Sequence, residues 1–192
     1  MHQDAISAVL QGDETLATKV IDRDSEADKS FALVGRCFQR TLTDLSEVQR
    51  LSHDRSTVFE YYYLCRQLKR IADHVEKIAR VTRNYASTPD PTLTDELAEL
   101  GGKFQDVIED AANVVLTDTD VSLAYHSLIE CDSLVRRIEE LDESLYDSPE
   151  LSQAYTGGLL LDSIKWSAEY GANIAALGLQ RHYRGMVSSP PR

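Results

Sequence analysis

The feature that most constrains the fold is a segment that occurs twice in the chain. Residues 64–79 align without a gap with residues 160–175, at an offset of 96 positions. Apolar residues recur at steps of three and four in this segment, which is the stripe of a core-facing helix. The pairs that share a residue type are Leu64/Leu160, Leu68/Ile164, Lys69/Lys165, Ala72/Ala168, Asp73/Glu169, Ile78/Ile174 and Ala79/Ala175. The sequence therefore predicts a duplicated helical unit.

A second pair of segments supports the duplication. The stripe at positions 16, 20, 24, 27, 31, 34 and 38 reappears 107 positions later, from Leu123 to Leu145. We predict an all-α fold of two tandem three-helix bundles, with repeat one at 1–86 and repeat two at 92–187. A proline-containing linker, 86–91, joins the repeats, and residues 188–192 form a flexible tail.

Six helices are expected, and several of their ends carry recognisable signals. The predicted spans are 2–11, 14–43, 57–84, 93–116, 123–145 and 149–184. Gly12 and Asp13 indicate a stop followed by an N-cap, and Thr57 to Glu60 has capping-box spacing. Pro149 suits a first helical position, and Gly185 a C-terminal stop. The first helix is expected to be much shorter than its counterpart, the fourth.

Charge and composition restrict the class of protein. The chain has 20 Lys and Arg against 32 Asp and Glu, a net charge of −12, which opposes direct binding to nucleic acid. It contains neither an apolar run of membrane-spanning length nor a signal peptide, so we expect a cytoplasmic protein. Only six of the basic residues are lysine, as a salt-rich cytoplasm would favour. Three scattered cysteines, Cys37, Cys65 and Cys131, suit buried reduced thiols.

Acidic residues beside apolar stripes are the first candidates for chemistry. Asp24 and Asp28 are one helical turn apart on the second helix, and Asp73 on the third helix could face them across the bundle. Carboxylate oxygens at this spacing suit a divalent or iron ion. The alternative is that Asp24 and Asp28 lie at a solvated edge, and that Lys69 and Asp73 form an ordinary i, i+4 ion pair.

His74 is the second candidate. Residues 74–77 have the His-x-x-Lys spacing of a phosphotransfer helix, although a surface histidine is the simpler interpretation. The Glu-x-x-His pattern of a di-iron bundle does not occur around it. Gly157 and Gly158 are interpreted as a point of close helix–helix approach, and Trp166 as a core or interface residue.

The segment from Arg70 to Ala79, together with Val20 to Asp28 and the tandem repeat, resembles the PhoU family of phosphate-uptake regulators, and is most similar to its acidic halophilic-archaeal members. This resemblance covers nearly the whole chain. It implies a cytoplasmic adaptor, not an enzyme, that restrains the phosphate ABC transporter or a phosphate-sensing signalling protein. It also implies a homodimer that meets the membrane only indirectly.

Several family members bind metal clusters through Glu/Asp-x-x-x-Asp pairs, so the resemblance makes Asp24, Asp28, Asp73 and Glu169 the candidate metal ligands. This chain departs from the pattern, because Lys69 and Lys165 replace the first acid of the pairs that end at Asp73 and Glu169. A DNA-binding domain precedes the helical units in some relatives; such a domain is not expected within this chain.

Two other functions remain open from the sequence. One is a metal-dependent helical-bundle enzyme centred on Asp24, Asp28 and Asp73. The other is a phosphotransfer domain that uses His74.

Overall fold

The computed structural model of the chain describes the backbone of residues 1–84, 91–117 and 121–188, and the side chains of 1–84, 93–117 and 121–184. The helices are α1 (His2–Gln11), α2 (Glu14–Thr43), α3 (Leu45–Leu51), α4 (Arg55–Asn84), α5 (Pro91–Thr117), α6 (Val121–Ser144) and α7 (Leu151–Ser188). A 3₁₀ turn, Leu145–Asp147, follows α6. Strands do not occur in these described ranges, and the predicted all-α class is confirmed.

The junction between α1 and α2 forms as the sequence predicts. Gly12 adopts a left-handed conformation with φ of 62°, which glycine adopts without steric strain. Asp13 then accepts a hydrogen bond from the Leu16 amide at 2.9 Å. The carboxylate satisfies an amide that has no partner within the helix, as an N-cap does.

The connection from α2 to α4 differs from the predicted spans, which place no helix between residues 43 and 57. It contains the short helix α3, whose first turn is capped by Asp44. α4 begins at Arg55, and Asp54 caps it by accepting from the Thr57 amide at 2.7 Å. The predicted capping box at Thr57 and Glu60 is therefore wrong, because both residues already lie inside the helix.

The core is built around α4 and α7, which pack against each other. α4 also packs on α1 and α2, whereas α7 packs on α5 and α6, and α1 contacts α5. Residues paired by the 96-position offset occupy equivalent environments: Ile78 and Ile174 are both 0% exposed, and Leu64 and Leu160 are 2% and 1% exposed. The two copies thus bury the same face in one shared core.

Close approach of α5 and α6 to α7 depends on glycine. A Cβ atom at Gly157 would lie 2.8 Å from Leu93 Cδ2 and 3.1 Å from Leu145 Cδ1. The prediction of a close approach here is confirmed for Gly157. A Cβ atom added at Gly158 would lie no nearer than 3.8 Å to the side chain of another element. Gly171 has the same role further along α7, since a Cβ there would overlap the Ile108 side chain.

The last helix differs from its predicted limits at both ends. α7 begins at Leu151, two residues after Pro149, and continues through Gly185 to Ser188. The stop at Gly185 is therefore wrong, because glycine permits a left-handed cap but does not impose one. The predicted linker lies outside the described residues except for Pro91, which begins α5. Of the predicted tail, Ser188 belongs to α7 and the rest is outside the described residues.

Two further predictions concern single residues and the membrane. Cys131 is buried and Cys65 half-buried, but Cys37 is exposed, contrary to the expected burial. Trp166 is 42% exposed and stacks on Tyr170. None of the helices in the described part of the chain is both long enough and apolar enough to cross a membrane.

Candidate functional site

The predicted acidic residues of repeat one converge on the ammonium group of Lys69. α2 contributes Asp24 and Asp28, and α4 contributes Asp73 and Lys69 itself. Lys69 Nζ donates to Asp24 Oδ1 at 2.9 Å and to Asp24 Oδ2 at 3.2 Å, and lies 3.0 Å from Asp28 Oδ1. It also forms an ion pair with Asp73, one turn along α4. We refer to these four residues as the Lys69 cluster.

Burial and charge determine the protonation state of Lys69. Its side chain is 11% exposed and that of Asp24 13%, whereas Asp28 and Asp73 are 63% and 50% exposed. Burial by itself disfavours the charged ammonium, but hydrogen bonds to Asp73, Asp24 and Asp28 outweigh it and raise the pKa of Lys69. Lys69 is therefore a cation at neutral pH, and it ties α2 to α4 across their interface.

The cluster brings together three of the four predicted metal ligands, but with an ammonium at the point where their oxygens converge. An ammonium repels a metal cation and occupies the position that the ion would need. Glu169 lies on α7, one turn after Lys165, and does not join the other three. Within the described part of the chain, groups of three or more His, Cys, Asp or Glu side chains suited to a metal ion are not found.

The equivalent place in repeat two has a simpler arrangement. Lys165 Nζ contacts Glu139 Oε1 at 2.5 Å, and both side chains are substantially exposed. Cys131 and Val135 occupy the positions of Asp24 and Asp28 in the 107-position offset. The duplicated lysine has thus kept an acidic partner. Among the described residues only Lys69 lies within ion-pair distance of three carboxylates, whereas Glu169 and Asp142 act on Lys165 from further away.

A cleft of about 440 Å³ adjoins the Lys69 cluster between α4 and α7. Its lining includes the cations Arg66, Arg70 and Lys77, together with Tyr170, whose hydroxyl accepts from Arg70 Nη1 at 3.1 Å. Arg70 also lies over the Tyr170 ring, at 5.4 Å from its centroid. The cleft is thus rich in positive charge within an acidic protein.

His74 lies on the wall of this cleft, and the structure corrects the interpretation of His74 as a surface residue. It is 7% exposed, and its ring lies 5.8 Å from Tyr170 and 6.4 Å from Trp166. Nδ1 is buried without a hydrogen-bond partner among the described residues. Burial, followed by the nearby Lys77 charge, lowers the pKa of His74. The ring therefore serves mainly to pack α4 against α7, through Trp166 and Tyr170.

Sequence reasoning missed a second buried ionic group at the opposite end of α4. Glu60 is 3% exposed; its Oε2 lies 3.1 Å from Arg181 Nη1 and its Oε1 2.5 Å from Arg184 Nη1. These contacts join α4 to the last turns of α7 across more than 120 residues of sequence. The only available signal was an acid at an otherwise apolar position of α4, and capping-box spacing offered a competing explanation.

The fold and the site define a class of protein: two tandem three-helix bundles that pack through α4 and α7. Each of these two helices carries a lysine that is followed one turn later by an acidic residue. Residues 1–82 match the model of a known family, described as the PhoU domain. The structure is similar to the crystal structure of the phosphate transport system regulatory protein PhoU from Streptococcus pneumoniae, with a TM-score of 0.76 and 17% identity, covering 96% of this chain and 86% of that one. It is also similar to PhoU from Pseudomonas aeruginosa, with a TM-score of 0.77 and 21% identity, covering 96% and 88%.

The fold of this chain is therefore that of the PhoU proteins. The match to the PhoU domain covers residues 1–82, and the shared fold extends over nearly the whole chain. A sequence comparison with curated proteins gives no match.

Proposed function

We propose that this protein is a regulator of phosphate transport that acts as a cytoplasmic adaptor, by contact with other proteins. The observation that carries the proposal is the match of residues 1–82 to the PhoU domain. The solved structures with the same fold include one named as a phosphate transport system regulatory protein. The candidate partners are a subunit of the phosphate ABC transporter and a phosphate-sensing signalling protein.

The site supports a role in binding more than a role in catalysis. The best-defined polar group in repeat one, the Lys69 cluster, is a set of ion pairs in which Lys69 is already saturated by carboxylates. A nucleophile–base pair needs a side chain that is free to accept a proton. Lys69 is held protonated, so it does not provide one. We propose that these contacts set the packing of α2 on α4 and so the shape of the surface offered to a partner.

Oligomeric state and cellular setting are further parts of the proposal. We propose a homodimer, which sedimentation equilibrium of the purified chain would test. The acidic, lysine-poor composition favours a halophilic source, because dissolved salt screens the repulsion between the carboxylates.

Phosphate uptake after deletion of the gene tests the proposed function. Radiolabelled phosphate uptake should be higher in the deletion strain than in the parent strain when phosphate is plentiful, and the wild-type gene should restore the parental rate. Uptake that is identical in all three strains, at both high and low phosphate, would contradict the proposal.

Direct association provides an independent test. The tagged full-length chain should co-purify with a named subunit of the phosphate transporter or with the phosphate sensor, identified by mass spectrometry, from cells grown in high phosphate. A matched strain that expresses the tag alone is the control. Recovery of neither partner, in an experiment where uptake also fails to change, would remove the adaptor role.

A further inference from the structure

The cleft beside the Lys69 cluster holds positive charge that the protein itself does not neutralise. Its lining carries four cations, Arg66, Lys69, Arg70 and Lys77, against one carboxylate, Asp73. The charge of Lys69 is taken up by its three aspartates. The other three cations form no ion pair with a carboxylate in the described part of the chain, and Arg70 donates to the uncharged Tyr170 hydroxyl. They are therefore available to an anion that enters the cleft.

The internal repeat shows that the fold does not require these cations. The 96-position offset pairs them with residues that carry no positive charge, namely Asp162, Trp166 and Asn173. α7 packs on α4, α5 and α6 with those residues in place. The positive charge is thus a property of repeat one alone, which indicates binding more than packing.

The cleft lies on the side of α4 that faces away from the α1 layer. In repeat two, α5 packs on α7 at Gly171, where a Cβ would meet the Ile108 side chain. The counterpart of Gly171 in repeat one is the buried Val75. At about 100° per residue, Arg70 and Lys77 lie about 140° and 160° away from Val75 around the helix axis. The helices that cover the other face of α4 therefore leave this cleft open.

His74 is an independent indication of a ligand. It lines the cleft, is 7% exposed, and its Nδ1 has no hydrogen-bond partner among the described residues. Burial lowers its pKa, so the ring is neutral near pH 7 and carries one N–H. A buried polar group without a partner is costly. An anion in the cleft would supply an oxygen that accepts from the ring and removes that cost.

The spacing of the cations indicates the size of the anion. Arg66, Arg70 and Lys77 extend over three turns of α4, about 16 Å along the axis. One phosphate group can accept from two arginines that are one turn apart. Lys77 lies two turns further along, within reach of a second phosphate group. The cleft volume of about 440 Å³ lies in the range typical of small-molecule sites, about 300–1,000 Å³.

We propose that this cleft binds a small anion with two or more linked phosphate groups, whose oxygens accept from Arg66, Arg70, Lys77 and His74. The recognised chemistry is a diphosphate, either free as pyrophosphate or carried by a nucleotide. The site goes beyond the proposed function and stands on these contacts alone. The net charge of −12 does not prevent binding, because the Debye length at about 0.15 M salt is about 8 Å and screens the more distant carboxylates.

Isothermal titration calorimetry of the full-length chain in metal-free buffer tests the site. Pyrophosphate and ADP should bind about tenfold more tightly than inorganic phosphate, which meets fewer of the cations. Arg70→Gln and Lys77→Gln should each weaken binding of pyrophosphate about tenfold. Arg83→Gln is the matched control, since it removes the same charge from α4 outside the cleft and should leave the affinity unchanged. Circular dichroism checks folding, and Arg66→Gln replaces Arg70→Gln if loss of the Tyr170 contact unfolds the chain.

A variant of opposite sign strengthens the test. Asp162 acts on His74 by its charge from α7, so it also repels an anion beside that ring. Asp162→Asn should therefore tighten binding by about two- to threefold. Trp166, the only tryptophan of the chain, lies 6.4 Å from the His74 ring, and its fluorescence should change and saturate at the same ligand concentration.

The two sources of the diphosphate are distinguished by comparing ADP with pyrophosphate. Tighter binding of ADP assigns a nucleotide to the site, and equal or weaker binding assigns the free diphosphate. The inference would be overturned if pyrophosphate and ADP both failed to bind, if inorganic phosphate bound as tightly, or if Arg83→Gln weakened binding as much as Arg70→Gln. Because none of these measurements uses phosphate uptake, the ligand site can fail while the proposed function holds.

Discussion

Replacing Lys69 by methionine tests whether the ammonium is what holds three carboxylates together. The Asp24 and Asp28 oxygens lie 2.9 and 3.0 Å from Nζ, so they are at most about 6 Å apart. Methionine keeps most of the length and apolar character of the lysine stem. It removes the charge, and it leaves Asp24, 13% exposed, facing Asp28 and Asp73 without the ammonium between them.

The magnitude follows from Coulomb's law. Two unit charges about 6 Å apart at an effective dielectric constant of about 40 repel by roughly 1.4 kcal/mol, and three such pairs by about 4 kcal/mol. Asp28 and Asp73 are 63% and 50% exposed and can turn towards water, which relieves part of this repulsion. We therefore expect Lys69→Met to lower the free energy of unfolding by about 2 kcal/mol at pH 7 and low salt.

Urea denaturation followed by circular dichroism measures this difference. It should shrink in 1 M salt, where charges are screened, and below about pH 4, where carboxylates become protonated. In the wild type, the raised pKa of Lys69 means that its contribution is complete below the unfolded-state value of about 10.4 and is lost as the pH rises above it. Lys165→Met is the matched control in repeat two, where one exposed partner predicts a much smaller effect.

The same variant should also gain affinity for divalent cations. With the ammonium gone, the oxygens of Asp24 and Asp28 need to close in by about 0.5 Å to reach Ca²⁺ ligand distances. Calcium should then raise the melting temperature of Lys69→Met and leave the wild type unchanged. An equal loss of stability for Lys69→Met and Lys165→Met, with no dependence on pH or salt, would refute this account of the Lys69 cluster.

Three other predictions concern stability. Glu60→Gln should lower the free energy of unfolding by about 2–3 kcal/mol in urea denaturation, since it removes the buried negative charge from its ion pairs with Arg181 and Arg184; an unchanged free energy of unfolding would contradict this. Gly171→Ala should lower the free energy of unfolding by about 1–3 kcal/mol, because the added Cβ meets the Ile108 side chain. Gly102→Ala, with open space around the added Cβ, should raise the free energy of unfolding by up to about 1 kcal/mol, and equal effects of the two variants would contradict the packing argument. Burial lowers the pKa of His2 to about 4, so the free energy of unfolding should fall by on the order of 3 kcal/mol as the pH drops from 6.5 to 4. His2→Leu should remove this part of the acid sensitivity in thermal melts at a series of pH values, and an acid profile that the substitution leaves unchanged would contradict the prediction.

The sequence by itself determined six of the seven described α-helices and their duplication. Apolar spacing is a local property, so the pattern around Ile78 and Ile174 was sufficient to predict two equivalent core helices, and both residues are completely buried. Gly12 and Asp13 also act within one turn, which is why that junction was predictable. The end of α7 was not, because glycine is compatible with both a stop and a continuing helix.

Only the tertiary structure decided which charged groups meet. Lys69 pairs with Asp24 from 45 positions away, and Glu60 with Arg181 from 121 positions away. Such pairs depend on how each helix is rotated about its axis and on its depth in the bundle, which residue spacing specifies too coarsely. Asp24 and Asp28 were visible in the sequence as a candidate metal site, but it was the packing of α4 on α2 that placed the Lys69 ammonium among their oxygens.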